Sequence, residues 1–365
     1  MSILFVGPYR QPDEWGKRSF NLLSCIKTLD LNITARPLFL AGLPALQHVE
    51  ETEYIKFDNY DILIQHALPQ YFVADSRFKK NIGVIDLETI DIRYTGWLYK
   101  LNLLDEIWIS SSRVKEYLEK EFPDKTIRNI PHSLDTSVAS NPPKTDPING
   151  LSSDRFKFYF IADANPKNGL EELLIAYYKS FTSQDQVQLV LFLPNVSPSI
   201  FEPVFQQCVA RAGSLYDQAL TPLVHVVNME LNAEQLIATH DQCDCFISPS
   251  HSLSTQNLPL QAATFGNTPI VTDGVGTAEV LTDKNAWLIE SYDECCALGE
   301  RPFPDVFTAK ETIRKPIINS LSSCLLEAYN NKYIRDKKKV SNEELRQSLS
   351  HQTIAEILKD YVCIP

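Results

Sequence analysis

Glycine, basic residues and long apolar runs are all scarce in this chain of 365 residues. Only 12 glycines occur, and no Gly-x-Gly-x-x-Gly follows the first apolar run, so the fingerprint of a nicotinamide-dependent oxidoreductase is missing. Nowhere do about 18 apolar residues follow one another without a break, so we expect no membrane span, and peripheral membrane contact stays open. The apolar run at 3–6 is too short for a signal peptide and predicts a buried first strand.

The scarcity of basic residues disfavours a polyanionic partner. The chain has 34 Lys and Arg against 46 Asp and Glu, which gives a formal net charge of -12. A nucleic acid would therefore need a local basic patch, and we expect it not to be a partner. The longest basic run, 337–339, lies next to Arg335, Glu343 and Glu344, which is typical of an exposed helix with mixed charges.

The eight cysteines include no Cys-x-x-Cys pair. Their scatter predicts a reducing compartment, the cytoplasm, with thiols that pack as small apolar side chains. His240, Cys243, Cys245 and His251 are close in sequence, but a Cys-x-Cys on a strand lacks the second ligand pair of a zinc site. The acidic residue Asp61 begins a strand rather than a metal-binding loop. We therefore predict no metal and no cofactor.

Short apolar runs alternate with helical periodicity along the chain. In the first half, strands are predicted at 3–7, 33–39, 60–65, 81–86, 106–110 and 127–131, and helices at 16–29 and 112–121. In the second half, strands are predicted at 156–162, 187–194, 223–229, 245–249 and 268–273, and helices at 169–181, 199–213 and 233–240. Such alternation is typical of parallel sheets that are covered by helices.

A polar stretch rich in Pro, Ser, Asn and Asp separates the two alternating halves. The length of the chain also favours two domains. We predict a first domain at 1–136, a linker at 137–154, a second domain at 155–340, and a last segment at 341–365 whose helix crosses back to the first domain. The predicted fold class is α/β, with two doubly wound, Rossmann-like domains that face each other across a cleft, where ligands usually bind.

Four segments together resemble the family 4 glycosyltransferases, which transfer a sugar from a nucleotide sugar and have two domains of the GT-B type. The segment DCFISPSHSLSTQNLPLQAATFGNTPIVTDGVGTAEVL (244–281) follows the order of their donor site: strand, Pro-Ser, loop, Leu-Pro, helix, Gly-x-x-Pro, strand, glycine turn, Glu. NIGVIDLETIDIRYTGW (81–97) with DEIWISSS (105–112), IPHSLD (130–135) and FYFIADANPKNGLEELLIAYYKSF (158–181) resemble further segments of these enzymes.

The resemblance implies a donor site in the second domain. A nucleoside diphosphate needs backbone N–H groups at a helix N-terminus and a cation that is held beside them, and Lys167 precedes such a terminus. The base contacts are expected from backbone near 228–230. The predicted donor-binding residues are Lys167, Asn168, Ser250, His251, Ser252, Asn257, Leu258, Gln261, Gly276 and Thr277.

Three positions depart from the family pattern. Leu253 and Gln261 stand where the family has two glutamates, the first near the sugar and the second at the ribose, and Asp163 stands where it has an arginine. The neutral amide of Gln261 can form hydrogen bonds with ribose hydroxyls, although these are weaker than those of a carboxylate. The side chain of Leu253 makes no hydrogen bond. Either the pocket holds an unusual donor, or the chain has lost catalysis and is a binding or scaffold subunit.

The predicted catalytic residues, His66 and Glu88, follow strands at the edge where functional groups of such sheets collect. The resemblance implies a metal-independent transfer from a UDP- or GDP-linked sugar, with retention of configuration and with the leaving phosphate accepting the acceptor's proton. An inverting enzyme would instead need a base such as His66, Asp86 or Glu88. Glu88 has an alternative role as the ion-pair partner of Arg93.

The acceptor is expected in the first domain. Trp15 offers a flat apolar surface for a sugar ring, and Arg18 can bind an anionic group. Gly16 and Arg93 complete the predicted acceptor-binding residues. The predicted partners are thus a nucleotide sugar and a glycan or another acceptor with a hydroxyl group. A nucleic-acid glycosyltransferase is a third alternative that the acidic composition disfavours.

Overall fold

In the computed structural model, the described residues are 1–39, 49–140, 148–163, 165–194, 198–213, 221–229, 231–296, 308–340 and 342–362. They form two parallel six-stranded sheets with helices on their faces, together with a small antiparallel hairpin. No helix among these residues is both long and apolar enough to cross a membrane.

The first sheet has the strand order β2-β1-β3-β4-β5-β6, with every neighbouring pair parallel. Its strands are β1 (Ser2–Gly7), β2 (Asn32–Pro37), β3 (Ile62–His66), β4 (Lys80–Val84), β5 (Glu106–Ile109) and β6 (Thr126–Asn129). The helices of this half are α1 (Glu14–Lys27), α2 (Trp97–Asn102), α3 (Ser112–Glu121) and α4 (Ser137–Ser140). All five residues of β3 are buried, as expected of a strand that is covered on both faces.

The second sheet has the order β12-β11-β10-β7-β8-β9 and is also parallel. Its strands are β7 (Phe156–Ile161), β8 (Val187–Phe192), β9 (Leu223–Val227), β10 (Cys245–Ser248), β11 (Ile270–Thr272) and β12 (Trp287–Ile289), and the hairpin consists of β13 (Ser291–Cys295) and β14 (Thr312–Pro316). The remaining helices are α5 (Leu170–Ser180), α6 (Pro198–Gly213), α7 (Ala233–Gln242), α8 (Asn257–Thr264), α9 (Gly276–Val280), α10 (Ile318–Asn330), α11 (Lys332–Val340), α12 (Asn342–Ser348) and α13 (His351–Val362).

The last helix, α13, returns to the first sheet. Its apolar side chains Ile354 and Leu358 are fully or almost fully buried in the same cluster as Leu23 of α1. The guanidinium of Arg128, on β6, lies 4.1 Å from the centre of the Tyr361 ring. The C-terminal segment therefore forms part of the core of the first sheet.

The predicted fold class is confirmed: both sheets are parallel, Rossmann-like and covered by helices. Most predicted elements begin and end within two residues of the observed ones. The hairpin β13–β14 has no counterpart in the prediction, because its short strands carry polar side chains that are mostly half-buried or exposed.

The prediction that 337–339 is fully exposed is wrong for one residue. Lys338 lies on α11 and is only 8% exposed. Its ammonium donates hydrogen bonds to the main-chain carbonyls of Asp283 and Ala286, and it lies 5.3 Å from the centre of the Trp287 ring. Burial lowers the pKa of Lys338. A long basic side chain can cover apolar surface in this way, which the run of charges in the sequence does not show.

Candidate functional site

Strand order places the candidate site between the two sheets. In the first sheet the order reverses between β1 and β3, and in the second it reverses between β7 and β10. Loops that follow strands at such a reversal diverge and leave a crevice at the carboxyl edge of the sheet. Trp15 lies in the first turn of α1, which follows β1, His66 is the last residue of β3, and Glu88 follows β4. Lys167 follows β7 and Ser250 follows β10. Hydrogen bonds and ion pairs join the two sets of loops directly.

On the first-domain side, three of the predicted residues form a cluster around Asp86. The Nε of Arg18 lies 2.8 Å from Asp86 Oδ2, and the Nε2 of His66 lies 3.1 Å from the same oxygen. Trp15 Nε1 lies 2.9 Å from His66 Nε2, with the two rings edge to face. Ser110 donates a hydrogen bond to the other oxygen of Asp86. The structure therefore brings Trp15, Arg18 and His66 together, with a carboxylate at their centre.

Burial and charge determine the ionisation of this cluster. His66 is fully buried, and burial lowers its pKa even though Asp86 opposes the shift. Burial acts to raise the pKa of Asp86, but the charge of Arg18 and the hydrogen bond from His66 outweigh it and lower that pKa. At neutral pH the cluster thus consists of a neutral imidazole beside a carboxylate and guanidinium pair.

The neutral ring of His66 cannot satisfy both of its Nε2 contacts at once. An indole N–H can only donate a hydrogen bond and an ionised carboxylate can only accept one. Nε2 of His66 therefore either accepts from Trp15 or donates to Asp86. Among the described residues its Nδ1 has no hydrogen-bond partner. The role of His66 as a catalytic base stays a prediction, since its side chain has no exposed surface in this conformation.

The other two acceptor-side residues lie apart from this cluster. Gly16 lies in the first turn of α1, where its N–H donates to the Asp13 carboxylate at 2.7 Å. A Cβ at Gly16 would come 2.1 Å from the carbonyl oxygen of Gln11, so close packing requires glycine there. Arg93 is exposed and pairs with Glu121 at 3.0 Å, so its expected pairing with Glu88 is wrong.

On the second-domain side, Lys167 lies in a short helical turn just before α5. The Asn165 side chain accepts a hydrogen bond from the Lys167 N–H at 3.0 Å and caps this turn. Gly169 follows with a φ of 75°, and a Cβ there would lie 2.0 Å from the carbonyl oxygen of Pro249. Only glycine allows the loop after β7 to approach the loop after β10 so closely. This contact places Lys167 beside the loop after β10, residues 249–256, which we call the Ser250 loop.

The Ser250 loop is held by its own hydroxyl groups. Ser250 Oγ accepts hydrogen bonds from the Ser252 N–H at 3.2 Å and from Gln256 Nε2 at 2.9 Å. The hydroxyls of Ser252 and Ser254 lie 2.8 Å apart. His251 is almost fully buried, and its N–H donates to the main-chain carbonyl of Lys167 at 2.8 Å. Ser250 and His251 thus contact Lys167 directly, and several polar groups of this loop already have protein partners.

Lys167 is paired with Glu88 across the cleft. Its ammonium lies 2.6 Å from Oε1 and 2.8 Å from Oε2 of Glu88. Both side chains keep partial exposure, 21% for Lys167 and 28% for Glu88, so solvent reaches this pair. The predicted diphosphate-binding cation therefore shares its site with a carboxylate of the first domain.

The surroundings of Leu253 explain why a leucine can stand where the family has its first glutamate. Its side chain is fully buried and packs in the same cluster as Leu87, Ile92 and Trp97 of the first domain. Val275 of the second domain reaches into the same cluster. An ionised glutamate in this position would place its charge among apolar side chains, which is strongly unfavourable. Leucine therefore contributes to the contact between the two domains.

The other two departures have separate surroundings. Asp163 is exposed, accepts a hydrogen bond from the Asn165 N–H, and contacts the Nδ2 of Asn168. It is directed at its own loop rather than at Lys167. Gln261, on α8, is half-buried and lies near the ring of His240, whose Nδ1 contacts the Tyr159 hydroxyl at 2.7 Å.

The remaining predicted donor residues link the loop to its surroundings. Asn257 spans the cleft: its Oδ1 lies 2.7 Å from His132 Nδ1, and its Nδ2 donates to the main-chain carbonyl of Glu14. Leu258 packs against the core of the second sheet. The Gly276 N–H donates to the Leu253 carbonyl, and the Thr277 hydroxyl accepts from the Gln256 N–H. These residues fix the loop and are not directed at one common ligand position.

Sequence reasoning missed most of the contacts between the domains. The carboxylate of Glu279 caps α3 of the first domain, because it accepts hydrogen bonds from the N–H and the hydroxyl of Ser112, each at 2.6 Å. Thr255 donates to the Ser110 carbonyl at 2.6 Å, and Arg113 pairs with Asp293. Glu279 had a signal in the sequence, since it stands at the Glu that closes the family order of the donor-site segment 244–281.

Two cavities lie beside α3, with volumes of about 520 and about 280 Å³. Both are lined by Arg113 and Glu116, and the smaller one also by residues of the second domain, among them Glu279. Neither is lined by Lys167 or His66. Within the described ranges, no group of three or more His, Cys, Asp or Glu side chains could hold a metal ion.

The buried His240 predicts a loss of stability in acid. Burial lowers its pKa to about 3, far below the value of about 6.5 in an unfolded chain. Between these values the unfolded chain binds a proton that the folded chain does not. The free energy of unfolding should therefore fall by up to about 1.4 kcal/mol for each pH unit below about 6.5. Urea unfolding at several pH values measures this slope.

The variant His240→Gln should flatten this pH dependence while its amide can still bond to the Tyr159 hydroxyl. The matched control is His225→Gln, because His225 is only half-buried, with an exposed hydrogen bond to the Asn149 carbonyl, and its replacement should change the slope much less. An unchanged slope in His240→Gln would show that other groups, such as His66, carry the effect.

No protein-family model matches the chain, and no curated protein matches it in sequence. Solved structures match its fold along almost the whole chain. Sucrose-phosphate synthase from Thermosynechococcus elongatus has a TM-score of 0.65 at 13% identity, over 99% of this chain and 98% of that one. A UDP-forming α,α-trehalose-phosphate synthase from Burkholderia xenovorans has a TM-score of 0.67 at 10% identity, over 98% of both chains.

A third solved structure is a trehalose-6-phosphate synthase that was studied for glycosyl transfer with retention. It has a TM-score of 0.68 at 10% identity, over 100% of this chain and 99% of that one. At such identities the likeness shows the fold, which is the two-domain GT-B fold. The narrower resemblance to family 4 stays a prediction.

Proposed function

We propose that this protein is a glycosyltransferase that uses a nucleoside diphosphate sugar, without a metal ion and with retention of configuration. The observation that carries the proposal is the position of Lys167. It precedes the 11-residue helix α5 at the reversal of strand order and faces the first domain across the cleft. A helix N-terminus with a cation beside it is suited to a diphosphate.

The solved structures with the same fold support a nucleoside diphosphate sugar as the donor. They include sucrose-phosphate and trehalose-phosphate synthases, one of which is named UDP-forming. We therefore propose UDP as the first nucleotide to test and GDP as the second. A neighbour whose title describes transfer with retention supports the proposed stereochemistry.

In the proposed reaction, the bond between the anomeric carbon and the β-phosphate oxygen breaks, and a bond to the acceptor oxygen forms on the same face. The proton of the acceptor hydroxyl passes to the leaving phosphate. Lys167 and the N-terminal amides of α5 would stabilise the charge that develops on the diphosphate. The cluster of Arg18, His66 and Asp86 lies on the opposite side of the cleft, where an acceptor hydroxyl would bind.

A second candidate function is binding without catalysis, as a partner or scaffold subunit. The pairing of Lys167 with Glu88 and the packing of Leu253 against the first domain favour it, because both contacts occupy the cleft. Binding alone is compatible with these contacts, since it requires no approach of an acceptor.

Donor turnover distinguishes the two functions. The protein is incubated with UDP- and GDP-linked hexoses and with a mixture of simple glycosides and oligosaccharides, and mass spectrometry follows the products. The proposal predicts a glycoside that is heavier by one hexose and free nucleoside diphosphate, both lost in Lys167→Gln. A donor that binds but stays intact with every acceptor would favour the non-catalytic subunit.

A further inference from the structure

The donor loop presents no carboxylate at the place where the resemblance implies the first glutamate. Leu253 stands there, and its side chain is directed into the apolar cluster of the first domain. The hydroxyl groups of a donor sugar are most strongly held by a charged acceptor. Leu253 cannot supply such an acceptor, and a carboxylate from another part of the chain would restore it.

Glu88 lies directly against this position. Its main-chain carbonyl accepts a hydrogen bond from the Leu253 N–H at 2.9 Å, so the backbones of the two residues are in contact across the cleft. Its carboxylate lies on Lys167, the candidate diphosphate ligand, at 2.6 and 2.8 Å. The side chain is 28% exposed, so it is not closed off from solvent.

We propose that Glu88 supplies, from the first domain, the carboxylate that binds the donor sugar in place of the missing loop glutamate. The inference rests on the proposed function, because it assigns a contact to the same donor. It makes Glu88 a sugar-binding residue rather than a catalytic base.

The ion pair with Lys167 is compatible with this role. An ammonium group has three N–H donors, so Lys167 can hold Glu88 and a phosphate oxygen at the same time. An ionised carboxylate has about four lone-pair positions, which leaves room for sugar hydroxyls beside Lys167. Lys167 would thus contact the diphosphate directly and the sugar through Glu88. Because Glu88 belongs to the first domain, the sugar would be bound only when the two domains are in contact.

Calorimetric titration of Glu88→Gln tests the assignment. The probes are UDP and UDP-glucose, then GDP and GDP-mannose. One hydrogen bond from a ligand to a charged group corresponds to about 10- to 100-fold in affinity. Glu88→Gln should therefore bind the nucleotide sugar about 10- to 100-fold more weakly, and should bind the nucleoside diphosphate as well as the natural chain or better. Glu88→Asp, which keeps the charge, should recover part of the loss.

The matched control is Glu119→Gln, since Glu119 forms an exposed pair with Lys115 on α3 and, among the described residues, contacts neither Lys167 nor the loop after β10. It should bind all four probes like the natural chain. If Glu88→Gln gains affinity equally for nucleotide and nucleotide sugar, or loses both equally, Glu88 acts only through Lys167 and the inference is wrong. If the natural chain binds none of the probes, the proposed function itself fails. Thermal unfolding of each variant confirms that it is folded.

Discussion

Replacing Lys167 by glutamine should reduce the affinity for a nucleoside diphosphate by about 100-fold or more. The change removes a charge-assisted contact to phosphate, which is among the stronger polar contacts in proteins. It also leaves the Glu88 carboxylate, which lies within 2.8 Å of Lys167 in the natural chain, without a cation beside it. Repulsion between that carboxylate and the diphosphate adds to the loss. Calorimetric titration with UDP and GDP measures the effect.

Two further variants show whether the loss of affinity is specific to Lys167 and how much of it comes from repulsion by Glu88. Lys332→Gln removes a lysine from an exposed pair with Asp336 on α11 and should leave binding unchanged. The double variant Lys167→Gln with Glu88→Gln removes the repulsion and should bind better than Lys167→Gln alone, but less well than the natural chain. A Lys167→Gln protein that binds nucleotide normally would place the diphosphate elsewhere in the molecule.

Replacing Leu253 by glutamate, the residue that the resemblance implies there, should destabilise the protein rather than improve it. Leu253 has no exposed surface and packs among apolar side chains of the first domain. An unpaired carboxylate in such a place costs about 3–5 kcal/mol. Urea unfolding at neutral pH should show this loss, and the contact between the domains should weaken with it.

The matched control for this change is Leu326→Glu. Leu326 lies on α10 in the second domain and is 39% exposed, so its replacement should change the unfolding free energy by less than about 0.5 kcal/mol. A Leu253→Glu protein as stable as the natural chain would mean that the loop turns away from the first domain in solution. A gain of donor affinity in that variant would also contradict the assignment of the sugar contact to Glu88.

Most strands of the two sheets could be predicted because they have a local signal. A run such as ILIQ at 62–65 is apolar on both faces, and α1 begins at the capping residue Asp13. The resemblance also located Lys167 and the Ser250 loop, which the structure places next to each other. These features depend on residues that are neighbours in the sequence.

The contacts across the cleft could not be predicted in this way. Glu88 had two plausible partners, Arg93 and a ligand, and the structure gives it Lys167, which is 79 residues away in the sequence. Leu253 looked like a loss of function in the sequence, because its place in the first-domain cluster depends on how two separate domains meet. Neither periodicity nor a capping signal specifies such a contact.

The most direct test of the central claim is thermal unfolding of the protein with UDP, GDP, ADP, CMP and their common sugar conjugates, each at millimolar concentration. A ligand at about one hundred times its dissociation constant adds about 2.7 kcal/mol to the unfolding free energy, which raises the midpoint by about 5–11 °C for a domain of about 150–250 residues. The account predicts such a rise with one nucleoside diphosphate and its sugar conjugate, and its loss in Lys167→Gln. No rise with any of these ligands, from a folded sample, would contradict a nucleotide-sugar site in this cleft.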